Sequence, residues 1–220
     1  VPSEAPARDA LCILVGIGLL CGVDGWLLPF PIHLRAVYVI TLLVIVFLRW
    51  RSIMAVLRVM PTRWSEAVAA APSMAVLALL AVGAMSTFAW LPTLDFDSLS
   101  YHLNLPSQLV ALGYYQMNVA TNIWASSPWA ADVLQAIAWM TGGVLARGAV
   151  DALWAGLSFV LIWRLCEEFG LCPGLRWLAV ALYAAIPTIA YTLFTMQTEG
   201  PTAAVVAALA LLIQCVRDPR

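Results

Sequence analysis

The sequence predicts an all-α integral membrane protein of about six transmembrane helices, with amphipathic juxtamembrane helices on its outer face. Hydrophobic residues make up 63% of the chain, charged residues 10%, and the mean hydropathy is +0.92. Soluble domains run at roughly 45–50% apolar and ~25% charged. The 220 residues leave room for about six spans of ~20 residues plus connections. A net charge of −1 speaks against a nucleic-acid partner, which would favour a clustered basic face. Membrane lipid is the expected surrounding.

The chain opens at Val1 on VPSEAPARD, which lacks a basic region leading into a cleavage site. No removed signal peptide is visible, and the terminus reads as processed or trimmed. Residues 10–28 form the first apolar span, with Asp24 between glycines near its end. An acid there can be functional, but one within a turn of the interface reaches water, and that reading is preferred. Pro29, Pro31, His33 and Arg35 mark a tight turn, and Ala36 to Leu48 with its flanks is the second span. His33 reads as an interfacial histidine, since no second ligand is near it in sequence. Arg49, Arg51, Arg58 and Arg63 then fall in one stretch, 49–66, read as a cytoplasmic loop or partly amphipathic surface helix with Trp50 and Trp64 at headgroup depth. The third span runs from about Val68 to Trp90 and closes a unit of three spans over 1–92.

Between Leu94 and Tyr115 the sequence places Asp95, Asp97, Tyr101 and His102 between apolar segments. Ionisable groups at such a boundary are costly unless they serve something. Asp95 or Asp97 could cap the helix that begins near Ser98, since Asp is a favoured N-cap. Leu105, Leu109 and Leu112 share one face of a helix that follows Pro106 and ends near Gly113, the pattern of an amphipathic helix resting on the bilayer. Tyr114, Tyr115, Trp124 and Trp129 read as an interfacial aromatic belt ahead of a sugar-stacking platform.

The segment Pro128 to Ala146 is long enough to cross, and the arginines decide whether it does. If it crosses, Arg8, Arg49, Arg51, Arg58, Arg63 and Arg147 lie inside and five arginines outside. If it stays on the outer surface, only Arg35 and Arg147 lie outside and the other nine inside. The second split obeys the positive-inside rule far better. Asp132, Gln135 and the Gly142-Gly143 break also suit a peripheral helix. Outer-face helices thus occupy 93–147, and three spans complete 148–220: Ala149 to Leu165, Leu175 to Phe194 and Pro201 to Val216. Gly170 and Pro173 stop and restart the chain between the first two. Both termini are then cytoplasmic. Glu199, at the start of the last span, returns to the face that carries Asp97.

Cys12, Cys21, Cys166, Cys172 and Cys215 lack zinc-site spacing and read as small buried hydrophobes. No metal site is predicted.

The stretch Phe96-Asp97-Ser98-Leu99-Ser100-Tyr101-His102-Leu103-Asn104 resembles the first outer loop of bacterial GT-C membrane glycosyltransferases that use polyprenyl-phosphate sugars. Pro128 with Asp132, Arg147 opening a span and Glu199 opening the last one are similar to later features of that superfamily, which usually has Asp where this chain has Glu199. The likeness covers about Leu91 to Val216 and corresponds to the amino-terminal half of such enzymes, so the chain is expected to be a truncated or partial member. The resemblance implies a bacterial inner-membrane glycosyltransferase with Asp97 and Glu199 as catalytic acids. Tyr101, His102, Arg147 and Asp132 would bind substrate, and it leaves a divalent cation open. A non-catalytic, transferase-like structural subunit of a larger membrane complex is the alternative. A transporter has little support, because no internal repeat or matched pair of broken spans is evident.

Overall fold

The computed structural model describes residues 5–90, 96–120, 123, 130–195 and 198–217. Asp95, Trp124, Pro128 and Trp129 lie outside the described residues. All regular structure among the described residues is helical. Among the described residues nine α-helices follow one another: α1 Ala5–Leu27, α2 Arg35–Ala69, α3 Pro72–Ser86, α4 Asn104–Leu112, α5 Ala130–Gly142, α6 Arg147–Glu168, α7 Pro173–Ala185, α8 Pro187–Phe194 and α9 Glu199–Arg217. Five stretches among the described residues are long and apolar enough to cross a membrane, and α7 with α8 makes a sixth if the bent pair is one span.

Two ends of the bundle are fixed by close packing. At the lower end α7 begins against α3: Gly174 faces the side chains of Ala71 and Met74, and the Trp177 indole N–H donates to the Ala67 carbonyl at 3.0 Å. At the upper end, Gly148 at the start of α6 lies against the Ala89 carbonyl. α3 and α7 therefore run upward side by side and α6 runs down. Small residues allow this approach, with Ala75 and Ala78 fully buried and Ala181 and Ala184 nearly so. α9 packs along α6 from the same upper end, through the buried Ala204, Ala208 and Leu211.

Several expected boundaries move, each for a visible reason. The Arg-rich stretch 49–66 is not a loop. It is the second half of α2, a single 35-residue helix that carries Pro61 without breaking. At about 50 Å such a helix outruns a ~30 Å hydrocarbon layer. The fifth span is bent by 75° between α7 and α8, because Pro187 drives Ile186 into extended backbone at ψ 114°. Pro72 likewise makes α3 start later than the predicted Val68. Positive φ at Gly113, Gly143 and Gly170 ends three segments where glycine was expected to end them.

At about 20 Å the thirteen-residue α5 is shorter than a ~30 Å hydrocarbon layer, and Ala131 to Ala136 are all buried. Its partners include α1, α2, α4 and α6, so it lies within protein at the upper end. α4 is correspondingly different from the expected bilayer-resting helix. Leu105 and Leu109, 3% and 1% exposed, turn inward into the core cluster shared with α5, while Leu112 is exposed. Of the five cysteines, only Cys21 is buried.

Replacing the fully buried Ala78 by Leu forces α3 away from α7 and should cost about 1–3 kcal/mol, read as a lower unfolding midpoint in detergent. Leu80→Ala, at a position 68% exposed, should stay within about 0.5 kcal/mol of the parent.

Candidate functional site

The upper end collects the polar residues that the sequence singled out. Asp97 enters a π-helical turn, Ser98–His102, in helical backbone of its own, and its carboxylate makes no capping bond to that turn. The cap that its residue type also allowed is therefore not made. Its side chain is partly exposed, and its carbonyl accepts from the Ser100 hydroxyl at 3.3 Å. The wide turn closes with the Leu103 N–H donating to the Ser98 carbonyl at 2.9 Å. Such π-turns often occur at functional sites.

The turn ends by sending His102 into the protein, 2% exposed, where its Nδ1–H donates to Asp132 Oδ1 at 2.6 Å. Asp132 is 3% exposed and sits in the first turn of α5, where the helix dipole favours a carboxylate. Tyr101 packs its ring 4.0 Å from that of His102. The structure thus joins His102 and Asp132, thirty residues apart, into one buried pair. Both are too deep to meet a substrate directly. Their effect is to fasten the Asp97–Tyr101 turn onto α5.

Arg147 opens α6 and Glu199 opens α9, both at this end. The Glu199 carboxylate is exposed and has no hydrogen-bond or ion-pair partner among the described residues. Gln135 ties α5 to α6, its Nε2–H donating to Asp151 Oδ1 at 2.8 Å. Tyr115, also buried, takes the Leu28 carbonyl through its backbone N–H at 2.7 Å. Burial first, and then the charge of Asp132, raise its phenol above the ordinary tyrosine value of 10.0.

A second polar group escaped the sequence reading. Tyr38, near the start of α2, donates its hydroxyl to Asp24 Oδ1 at 3.0 Å, and the same hydroxyl is hydrogen-bonded to His33 Nδ1. His33 Nε2–H donates to the Leu27 carbonyl at 2.9 Å. Asp24 and His33 are not water-facing singletons but the fastening of the α1–α2 turn. The His33 N–H also donates to the Gly113 carbonyl at 3.0 Å, docking that turn on the end of α4. The signal was an Asp, a His and a Tyr on either side of one proline-bracketed turn.

The described residues contain no group of three His, Cys, Asp or Glu side chains that could hold a metal ion. No family model matches the chain, and no curated protein or solved structure shows significant similarity to it.

Asp132→Ala leaves His102 buried without its partner and should cost about 3–5 kcal/mol. Adding His102→Ala to that variant should cost little more, as read from unfolding midpoints. Tyr115 holds its proton more tightly folded than unfolded. Its stabilisation is therefore complete below pH 10, the unfolded value, and is lost as pH rises through the higher folded value. A titration of stability across that range should fall more steeply for the parent than for Tyr115→Phe.

Proposed function

We propose that this chain is a GT-C-like glycosyltransferase module of the bacterial inner membrane, transferring a sugar from a polyprenyl-phosphate donor at the outer membrane face. The observation that carries the reading is the placement of Asp97, at the end of the bundle that gathers Tyr101, Arg147 and Glu199. The likeness of Phe96 to Asn104 to the acidic loops of that superfamily supports it.

Charge distribution supports the sidedness. Arg8, Arg164, Arg176 and Arg217 belong to the lower end and Arg35 and Arg147 to the upper. By the positive-inside rule the lower end is cytoplasmic and the acids face outward. That is where the phosphate of a lipid-linked donor meets the interface.

In this mechanism Asp97 takes the proton of the acceptor hydroxyl as its oxygen attacks the anomeric carbon. The bond from that carbon to the phosphate oxygen breaks, and polyprenyl phosphate leaves with the electron pair. Arg147 offsets the charge that develops on the phosphate. Glu199 orients the acceptor, and Tyr101 hydrogen-bonds the substrate. His102 and Asp132 act through position alone, holding the turn.

The alternative is a non-catalytic structural subunit in a larger membrane complex. The apolar stretch of α2 is largely uncovered, with Leu43 62% and Phe47 80% exposed, a surface that packs equally against lipid or another membrane protein.

Asp97→Asn separates the two. In vesicles supplied with a polyprenyl-phosphate sugar and acceptor, the enzyme reading expects transfer to fall by about 10²-fold or more. An unchanged rate removes it and leaves the structural subunit.

A further inference from the structure

We propose that the interior of the bundle binds a short chain of water molecules along one face of α6, held by Gln135, Asp151, Trp154 and Ser158. This site is separate from any transfer chemistry at Asp97 and does not depend on it. Residues 151, 154 and 158 recur at helical spacing, so they share one face over about 10 Å of axis. All four side chains are sealed in: Asp151 and Ser158 are 1% exposed, Gln135 and Trp154 5%. Gln135 and Asp151 satisfy each other once, through the 2.8 Å bond. On these four side chains, four atoms have no hydrogen-bond partner among the described residues: Gln135 Oε1, Asp151 Oδ2, Trp154 Nε1 and Ser158 Oγ.

Buried polar atoms in native interiors are almost always paired, with protein or with ordered water. The chemistry of these four selects the ligand. Gln135 Oε1 and a carboxylate oxygen accept, the indole N–H only donates, and the hydroxyl does both. A metal cation would serve the two acceptors and be opposed by the indole N–H. An anion would serve the donors and be repelled by Asp151. Water donates and accepts, and each molecule makes about three such bonds. The track continues toward α7, where the buried Tyr183 hydroxyl lies beside Ser158. At its upper limit Gln135 stands about one helical turn past Asp132 on α5.

The full chain carries its own control. Trp177 is as deeply buried as Trp154, at 6%, but its indole N–H is satisfied by the Ala67 carbonyl. Millisecond X-ray radiolysis makes hydroxyl radicals from bound water, and these oxidise the side chains beside it. In the reconstituted protein, mass spectrometry should find Trp154 oxidised several-fold faster than Trp177. The paired substitution Asp151→Leu and Ser158→Ala should bring Trp154 down to the Trp177 rate. Equal rates for the two tryptophans in the parent overturn the proposal, and so does a folded double variant in which Trp154 stays fast. Should the variant not fold, the comparison within the parent decides.

Discussion

The hydrogen bond between His102 and Asp132 is the constraint from which the arrangement of the upper end follows. Two ionisable groups removed from water are costly unless they satisfy each other, so the turn that bears His102 and the helix that bears Asp132 must meet. Their meeting holds the first turn of α5 in place. The last turn is held by Arg35, whose guanidinium donates to the Thr141 carbonyl at 3.4 Å. Tied at both ends and too short to cross, α5 returns the chain to the end it came from. α6 therefore starts where α3 finished, and two further passages later α9 starts there as well. Asp97, Arg147 and Glu199 owe their common location to this one detour.

Polar bonds carry unusual weight in such a fold. Where apolar side chains face lipid, burying them against another helix yields little, and association rests on close packing and interhelical hydrogen bonds. Both devices are present and are spatially divided. The α3–α7 pair uses alanines and Gly174 to bring backbones close. The upper end uses three polar fastenings: Asp24 with Tyr38 and His33, His102 with Asp132, and Gln135 with Asp151. The lower end has an ion cluster instead, with Arg164 bound to Glu167 and Glu168 at 2.6 Å each and Arg176 to Glu167 at 2.8 Å. Arg176 also stacks over Trp163, 5.8 Å from its ring centre.

The apolar runs and the glycine stops made most helices legible from sequence, because both act locally. The arginine count, a property of the whole chain, predicted a non-crossing α5, and the helix observed is thirteen residues long. What sequence missed were effects set by a neighbour in space. The apolar face of α4 read as bilayer-facing because periodicity reports that a face is apolar and not what covers it; α5 covers it. Asp24 and His33 each looked solitary because their partner, Tyr38, lies beyond a turn whose closure brings the three together. Asp132 was recognised as an acid of interest, but nothing in a linear reading marks it as buried against His102. Pro187 was a plain local signal of the bend in the fifth apolar run, which the sequence reading passed over. For Asp97, residue chemistry pointed to a cap and the resemblance to a catalytic acid, and its helical backbone removes the cap.

The sidedness of the acids is the measurement that bears most directly on this arrangement. In a cysteine-free background reconstituted into vesicles, Asp97→Cys, Glu199→Cys and Phe169→Cys would each be exposed to a membrane-impermeant maleimide from one side only. Positions 97 and 199 should react from the same side and position 169, at the lower end, only from the other. Reaction of 97 and 199 from opposite sides would mean that the chain between them crosses once more than α5 permits, and the common site would not exist.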